Sequence, residues 1–156
     1  MKLNEFMSIV NGVLCIKYDK LCKGEKKSVD AVCTTLCTTN GTEYDEKMYC
    51  FKVGNNKTTD EVLLVEIKEK LSESKLKEAL DQIRDSKRKI DIKVKGAYVA
   101  FDDCSILKAR KAMTAEEDEI LLESQKELKM IIKYVCLDNE IDEKVRDFVV
   151  AARELS

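Results

Sequence analysis

The chain has 156 residues, the length of one ordinary domain, and 44% of them are hydrophobic, enough to bury a core without disulfides or a structural metal. Charged residues reach 37%, yet the signs cancel to a net charge of −2, so affinity for nucleic acid has to come from local clustering of basic residues. Histidine is absent, which excludes serine and cysteine triads, zincin sites and most general-base schemes. Chemistry here has to run on carboxylates, lysine, cysteine or a metal held by oxygen.

Proline, internal repeats and low-complexity linkers are also absent, so a single compact unit over 1–156 is expected. No apolar run approaches the ~18–20 residues a membrane span needs. The start, Met1-Lys2-Leu3-Asn4-Glu5-Phe6, is polar where a secretory signal would be apolar, which predicts a cytoplasmic, intracellular protein. The seven cysteines are odd in number, widely spaced and without a CxxC pair, so a zinc site is not indicated. Cys33 and Cys37 offer a local pair, but with no histidine to activate a thiol the cysteines read best as small buried core residues.

In chain order, residues 2–22 carry Leu3, Phe6, Met7, Val10, Leu14, Tyr18 and Leu21 at helical spacing, which predicts a first helix running through Gly12. Lys23–Lys27 reads as a loop. Residues 30–39, rich in Val, Thr and Cys, suit a strand, with a short helix capped by Ser28 as the competing reading. After the Asn40-Gly41 turn signal, residues 46–53 read as a second strand and 61–69 as a third, closing a hairpin across Gly54–Lys57. Ser72 or Ser74 then caps a helix to about Ser86, with Leu76, Ala79, Leu80 and Ile83 as its apolar stripe. A fourth strand spans Asp91–Phe101. From Ser105 onward the pattern is helical, with Thr114 and Glu117 as a capping box opening a long helix to about Cys136 and a last helix from about Ile141 to Leu155. The order α-β-β-β-α-β followed by helices predicts an α/β (α+β) fold, a mixed sheet flanked by helices with a C-terminal helical elaboration over 105–155.

Alternation in the third strand places Leu63, Val65 and Ile67 on one face, which can pack on the Leu76-Leu80-Ile83 helix, and Val62, Leu64, Glu66 and Lys68 on the other. A carboxylate and an ammonium two residues apart in an apolar strand cost desolvation unless they pair or bind something. If Lys52 lies opposite Glu61 in the hairpin, Lys47 falls opposite Glu66 and Asp45 opposite Lys68. Asp45 then becomes the second carboxylate, with Glu43 and Glu46 as substitutes for a slipped register and Asp60 as a weaker one. Two carboxylates converging near a lysine suit magnesium or manganese, which take oxygen ligands and commonly only one or two carboxylates from protein.

In Glu66-Ile67-Lys68, the upstream acid and the αβββαβ order, the chain resembles the PD-(D/E)xK, or restriction-endonuclease-like, nucleases over about residues 2–101. Tyr44 stands where the proline before the first acid is often found. The resemblance implies a metal-dependent nuclease acting on DNA (RNA is the other substrate it leaves open), with Asp45 and Glu66 holding Mg2+ or Mn2+ and Lys68 orienting the attacking water. It also implies assisting roles for Glu5 on the first helix and Gln82 on the helix after the third strand. Arg84, Lys87, Arg88 and Lys89, with Lys93, Lys95, Lys108, Arg110 and Lys111 further on, form a basic cluster suited to phosphate. The plain counterpart is a set of cations at a helix C-terminus and along an edge strand. Ile120, Leu121, Leu128, Ile131, Ile132 and Val135 either cover the sheet or form the face of a homodimer. The rival to an enzyme is an α/β interaction module or a catalytically inactive nucleic-acid-binding relative. In that case Glu66 and Lys68 would be a solvated ion pair.

Overall fold

The computed structural model of the chain describes residues 2–10, 13–18, 28–35, 61–90 and 93–138. Its elements are α1 (Lys2–Ile9), β1 (Val13–Lys17), β2 (Ala31–Thr35), β3 (Glu61–Lys70), α2 (Glu73–Lys89), β4 (Lys93–Asp103), α3 (Ser105–Arg110), α4 (Ala115–Leu128) and β5 (Ile131–Cys136). The strands form one sheet in the order β1-β2-β3-β4-β5. β1, β2 and β3 run antiparallel to their neighbours, while β3, β4 and β5 are parallel. The α+β class and the mixed sheet are those expected, and the order αβββαβ holds, but the elements differ from the expected ones in two places.

The first difference lies at the N-terminus. The predicted first helix stops at Ile9, and Val13–Lys17 is a strand whose register pairs Val13 with Thr35 and Lys17 with Ala31. Val10, Leu14 and Tyr18 are four residues apart, a spacing that returns to the same face in both a helix and a strand, so the stripe does not tell one from the other. β2 takes the residues for which a strand was expected. The helix reading opened by Ser28 is not realised.

The second difference lies at the C-terminal side of α4. Its start is as expected: Thr114 Oγ1 accepts from Glu117 N–H at 3.1 Å and Glu117 Oε1 accepts from Thr114 N–H at 2.9 Å, a complete capping box. The helix ends at Leu128 rather than near Cys136, because Lys129 turns into the left-handed region at φ 55°. The N–H groups of Lys129 and Met130 both reach the Gln125 carbonyl. The Gln125 side-chain oxygen accepts from Ile132 N–H at 2.9 Å, tying the turn to the first residues of β5. Ile131–Cys136 then runs parallel to β4, with all but its first residue buried. A near-continuous apolar run is what a parallel strand covered on both faces requires. Leu121 is buried, and Ile120 and Leu128 pack against the core, so this part of the α4 surface covers the domain. The expected last helix over 141–155 lies outside the described residues.

Two clusters fill the two sides of the sheet. One gathers Val62 and Leu64 of β3, Val99 and Phe101 of β4 and Ile132 of β5 under Leu76, Ala79, Leu80 and Ile83 of α2. The other gathers Leu63, Val65, Tyr98, Ala100 and Val135 under Leu3 and Phe6 of α1, with the Phe6 and Tyr98 rings edge to face at 5.2 Å. The expected helix stripe is therefore correct, but α2 covers the Val62–Leu64 face, not the Leu63–Val65–Ile67 face. Fully burying Leu76, Leu80 and Ile83 contributes roughly 1.5–3 kcal/mol each, which outweighs the weak helix propensities within α2. A register shift, Val62 opposite Val94 but Leu63 opposite Gly96, leaves Lys95 as an extra residue in β4. It is why Val94 shares its face with Ala97, Val99 and Phe101, whereas uninterrupted alternation would have grouped Val94 with Tyr98 and Ala100.

The described cysteines are buried as expected, but they are bonded in pairs. Cys15 and Cys33 face each other across β1 and β2, and Cys104 and Cys136 join the ends of β4 and β5. Cys33 thus pairs across the sheet rather than with Cys37. Among the described residues no helix is long and apolar enough to cross a membrane.

Candidate active site

The site arises where β2 stops and β3 continues. β2 pairs with β3 only from Ala31 opposite Val65 to Cys33 opposite Leu63, while β4 follows β3 on its other side as far as Lys70. Beyond Val65, one residue before β2 begins, Asp30 closes the gap. Asp30 N–H donates to Glu66 Oε1 at 3.0 Å, and Ile67 N–H donates to Asp30 Oδ2 at 2.7 Å. Each carboxylate thus accepts a backbone N–H from the other's segment, an exchange that extends the ladder and draws the two acids together. Glu66 is 3% exposed, while Asp30 is open to solvent.

Lys68, also buried, stands beside them. Its Nζ lies 3.1 Å from Glu66 Oε2 and donates to Glu78 Oε1 of α2 at 2.9 Å. Burial pushes the Glu66 carboxyl up to about 8, and the charge of Asp30 adds to the effect. Lys68 opposes it without cancelling it. Burial also works against the Lys68 ammonium, but the Glu78 hydrogen bond and the Glu66 charge outweigh it, and its pKa stands above the ordinary lysine value. A buried acid set against a second acid, with a lysine on its other oxygen, is a site under electrostatic stress.

α2 forms the wall of the site. Glu78, Gln82 and Ser86 follow one another at i, i+4 and i+8 and so share a helix face. Glu78 reaches Lys68, Gln82 Nε2 donates to the Ser28 carbonyl at 3.1 Å, and Ser86 Oγ accepts from Val29 N–H at 2.9 Å. Gln82 Oε1 is buried with no hydrogen-bond partner among the described residues. Ser72 caps the helix by accepting from Lys75 N–H, worth about 1 kcal/mol, and so fixes the rotation that aims this face.

Of the residues singled out by sequence, Glu66, Lys68 and Gln82 lie around this site. Asp45, Glu43, Glu46 and Asp60 lie outside the described residues, as does the expected strand over 46–53. The expected pairing of 46–53 with β3, which would set Asp45 beside Glu66, lies outside the described residues; the described neighbours of β3 are β2, from Ala31 opposite Val65 to Cys33 opposite Leu63, and β4. Glu5 belongs to α1, whose Leu3 and Phe6 pack on the sheet face opposite Glu66. In the basic cluster, Arg84 is engaged by Asp81 and Glu127, and Arg88 by Asp85. Arg88 nevertheless stays largely exposed, and Lys87 alongside them is half-buried. Lys89 ends α2, where a cation complements the helix dipole. Arg84 also borders a groove of about 220 Å³ between α2 and α4, with Leu80, Ile120 and Glu127; none of Asp30, Glu66 and Lys68 lines it.

Asp30, Glu78 and Ser86 were not found by sequence reasoning. A signal for Asp30 existed, an acid directly before the apolar run of β2, but it was hidden by the reading of 46–53 as the neighbour of β3. Among the described residues no group of three or more Cys, Asp or Glu side chains could hold a metal ion. Among the described residues the carboxylates brought together beside Lys68 and facing each other are Asp30 and Glu66. Two carboxylates, with the remaining positions left to water and phosphate oxygens, are a donor set of the kind that hard, oxygen-seeking divalent cations take. Comparison with known proteins returned no match to a family model, a curated protein or a solved structure.

Proposed function

We propose that this chain is a metal-dependent nuclease of the PD-(D/E)xK kind that hydrolyses DNA phosphodiester bonds, with Asp30, Glu66 and Lys68 at its centre. The observation that carries the reading is the mutual clasp of Asp30 and Glu66 beside Lys68, at the point where β2 ends and β3 runs on. Asp30 takes the role that the sequence alone assigned to Asp45. Asp30 and Glu66 would hold Mg2+ or Mn2+, which supplies polarisation of a phosphoryl oxygen and a water of lowered pKa. The Lys68 ammonium, held between Glu66 and Glu78, is set to orient a water and to offset negative charge developing on phosphate. Glu78 keeps that ammonium pointed at the site, and Gln82 braces the segment before Asp30.

The test is cleavage of linear double-stranded DNA by the purified chain with magnesium or manganese, alongside a chelator control and single-residue variants. Glu66→Ala and Asp30→Asn are each expected to lower the rate at least about a hundredfold, as losses of electrostatic stabilisation at an active site commonly do. Asp45→Asn is expected to leave it within about threefold, below the ~1.4 kcal/mol that a tenfold change represents. Intact DNA under all conditions would discard the enzyme. A collapse in Asp45→Asn with activity kept in Asp30→Asn would restore the acid chosen by sequence.

A further inference from the structure

Ser86 lies in the apolar stripe of α2 with Leu76, Ala79, Leu80 and Ile83, and it is fully buried. Alanine would serve the helix better at such a position, since it has the highest helix propensity and buries no polar group. A hydroxyl retained there has to be hydrogen-bonded, and its acceptor role is taken by the buried Val29 N–H at 2.9 Å. Val29 is the residue before Asp30. One residue further back, the Ser28 carbonyl is held by Gln82 Nε2 at 3.1 Å. On the other side, Tyr18 OH donates to the Ser86 carbonyl at 3.3 Å, and Tyr18 N–H donates to the Asp30 carbonyl at 3.0 Å. Asp30 itself lies just outside the β2 ladder, which begins at Ala31. Its approach to Glu66 is therefore braced by α2 and Tyr18 as well as by the sheet.

We propose that Ser86, seconded by Gln82, is a positioning residue for Asp30, setting the separation of the Asp30 and Glu66 carboxylates and hence the affinity of the site for a divalent cation. The inference rests on the metal-site reading above. Ser86 touches neither cation nor substrate; it acts by fixing the backbone of 28–30. Removing the hydroxyl leaves Val29 N–H buried without its partner and frees the acid to move. Groups that orient metal ligands from behind typically cost 10- to 100-fold in affinity when removed.

The experiment is titration of the whole chain with manganese, followed by calorimetry, for wild type and Ser86→Ala, with melting in chelator as the control of fold. The expected result is a Ser86→Ala protein that is folded at the titration temperature and binds manganese roughly 10- to 100-fold more weakly, with cleavage recovering at saturating metal. A residue that only supported the fold would lower the melting temperature and leave the manganese affinity of the folded protein unchanged, and that result overturns the proposal. If Ser86→Ala does not fold, Gln82→Met, which removes the other brace from a half-buried position, decides in the same way: weaker manganese binding supports the proposal and wild-type affinity overturns it. If wild type itself binds neither manganese nor magnesium, the metal-site reading falls and this inference with it, an outcome distinct from a wild type that binds and a variant that binds equally well.

Discussion

Two buried glutamates, Glu66 on β3 and Glu117 on α4, are nearly equal in exposure at 3% and 4%, yet they sit in opposite surroundings. Glu117 is met only by donors: Thr114 N–H at 2.9 Å completes a capping box, and Arg110 lies 3.4 Å away. Glu66 has donors too, Asp30 N–H and Lys68, but it also faces the Asp30 carboxylate, and burial with that like charge drives its pKa to about 8. A buried acid is not by itself a mark of function. An acid that the fold buries and then sets against another acid is working against stability, and such an arrangement points to a task beyond folding.

The comparison is sharpened first through pH, where the expected effect is largest. With its folded pKa raised from an ordinary 4.5 to about 8, Glu66 lowers no stability below pH 4.5. It weakens the fold as pH rises from 4.5 towards 8, because the unfolded chain then releases a proton that the folded protein still holds. In chelator, wild type and Glu66→Gln should therefore differ little at pH 5, with the variant gaining on wild type by on the order of a few kcal/mol by pH 8.5. Melting curves across that window check it, and parallel curves would mean that Glu66 is not stressed. Glu117→Ala comes next. Loss of the capping box should cost about 1–2 kcal/mol, or a melting temperature lower by roughly 2–8 °C. Cleavage below the transition should be unchanged, and a loss of activity matching that of Glu66→Ala would erase the distinction between the two sites. Smallest is Glu78→Gln. The Glu78 side chain is about half exposed at 53%, and exposed pairs contribute little, so stability by urea unfolding should barely move. A clear shift of the urea midpoint, as large as that of Glu117→Ala, would make Glu78 part of the buried network and not its solvent-facing edge.

The sequence by itself determined the α+β class, the β3-α2-β4 unit, the stripe Leu76-Ala79-Leu80-Ile83, the capping box of Thr114 and Glu117, and the Glu66-x-Lys68 pair. Each of these is local: an alternating run, a 3.6-residue stripe or a capping residue three positions from its partner contains its own signal within a few residues. The tertiary structure alone decided which strand lies beside β3, which face of β3 α2 covers, that 13–17 and 131–136 are strands, and which acid meets Glu66. The four-residue spacing of Val10, Leu14 and Tyr18 is open to a helical and to an extended reading, and both faces of β3 are equally apolar between Val62 and Val65, so nothing local chooses between the alternatives. The choice falls to pairing between residues far apart in the chain. Asp30 meets Glu66 across 36 positions, and Val29 meets Ser86 across 57, distances over which hydrophobic periodicity carries no information.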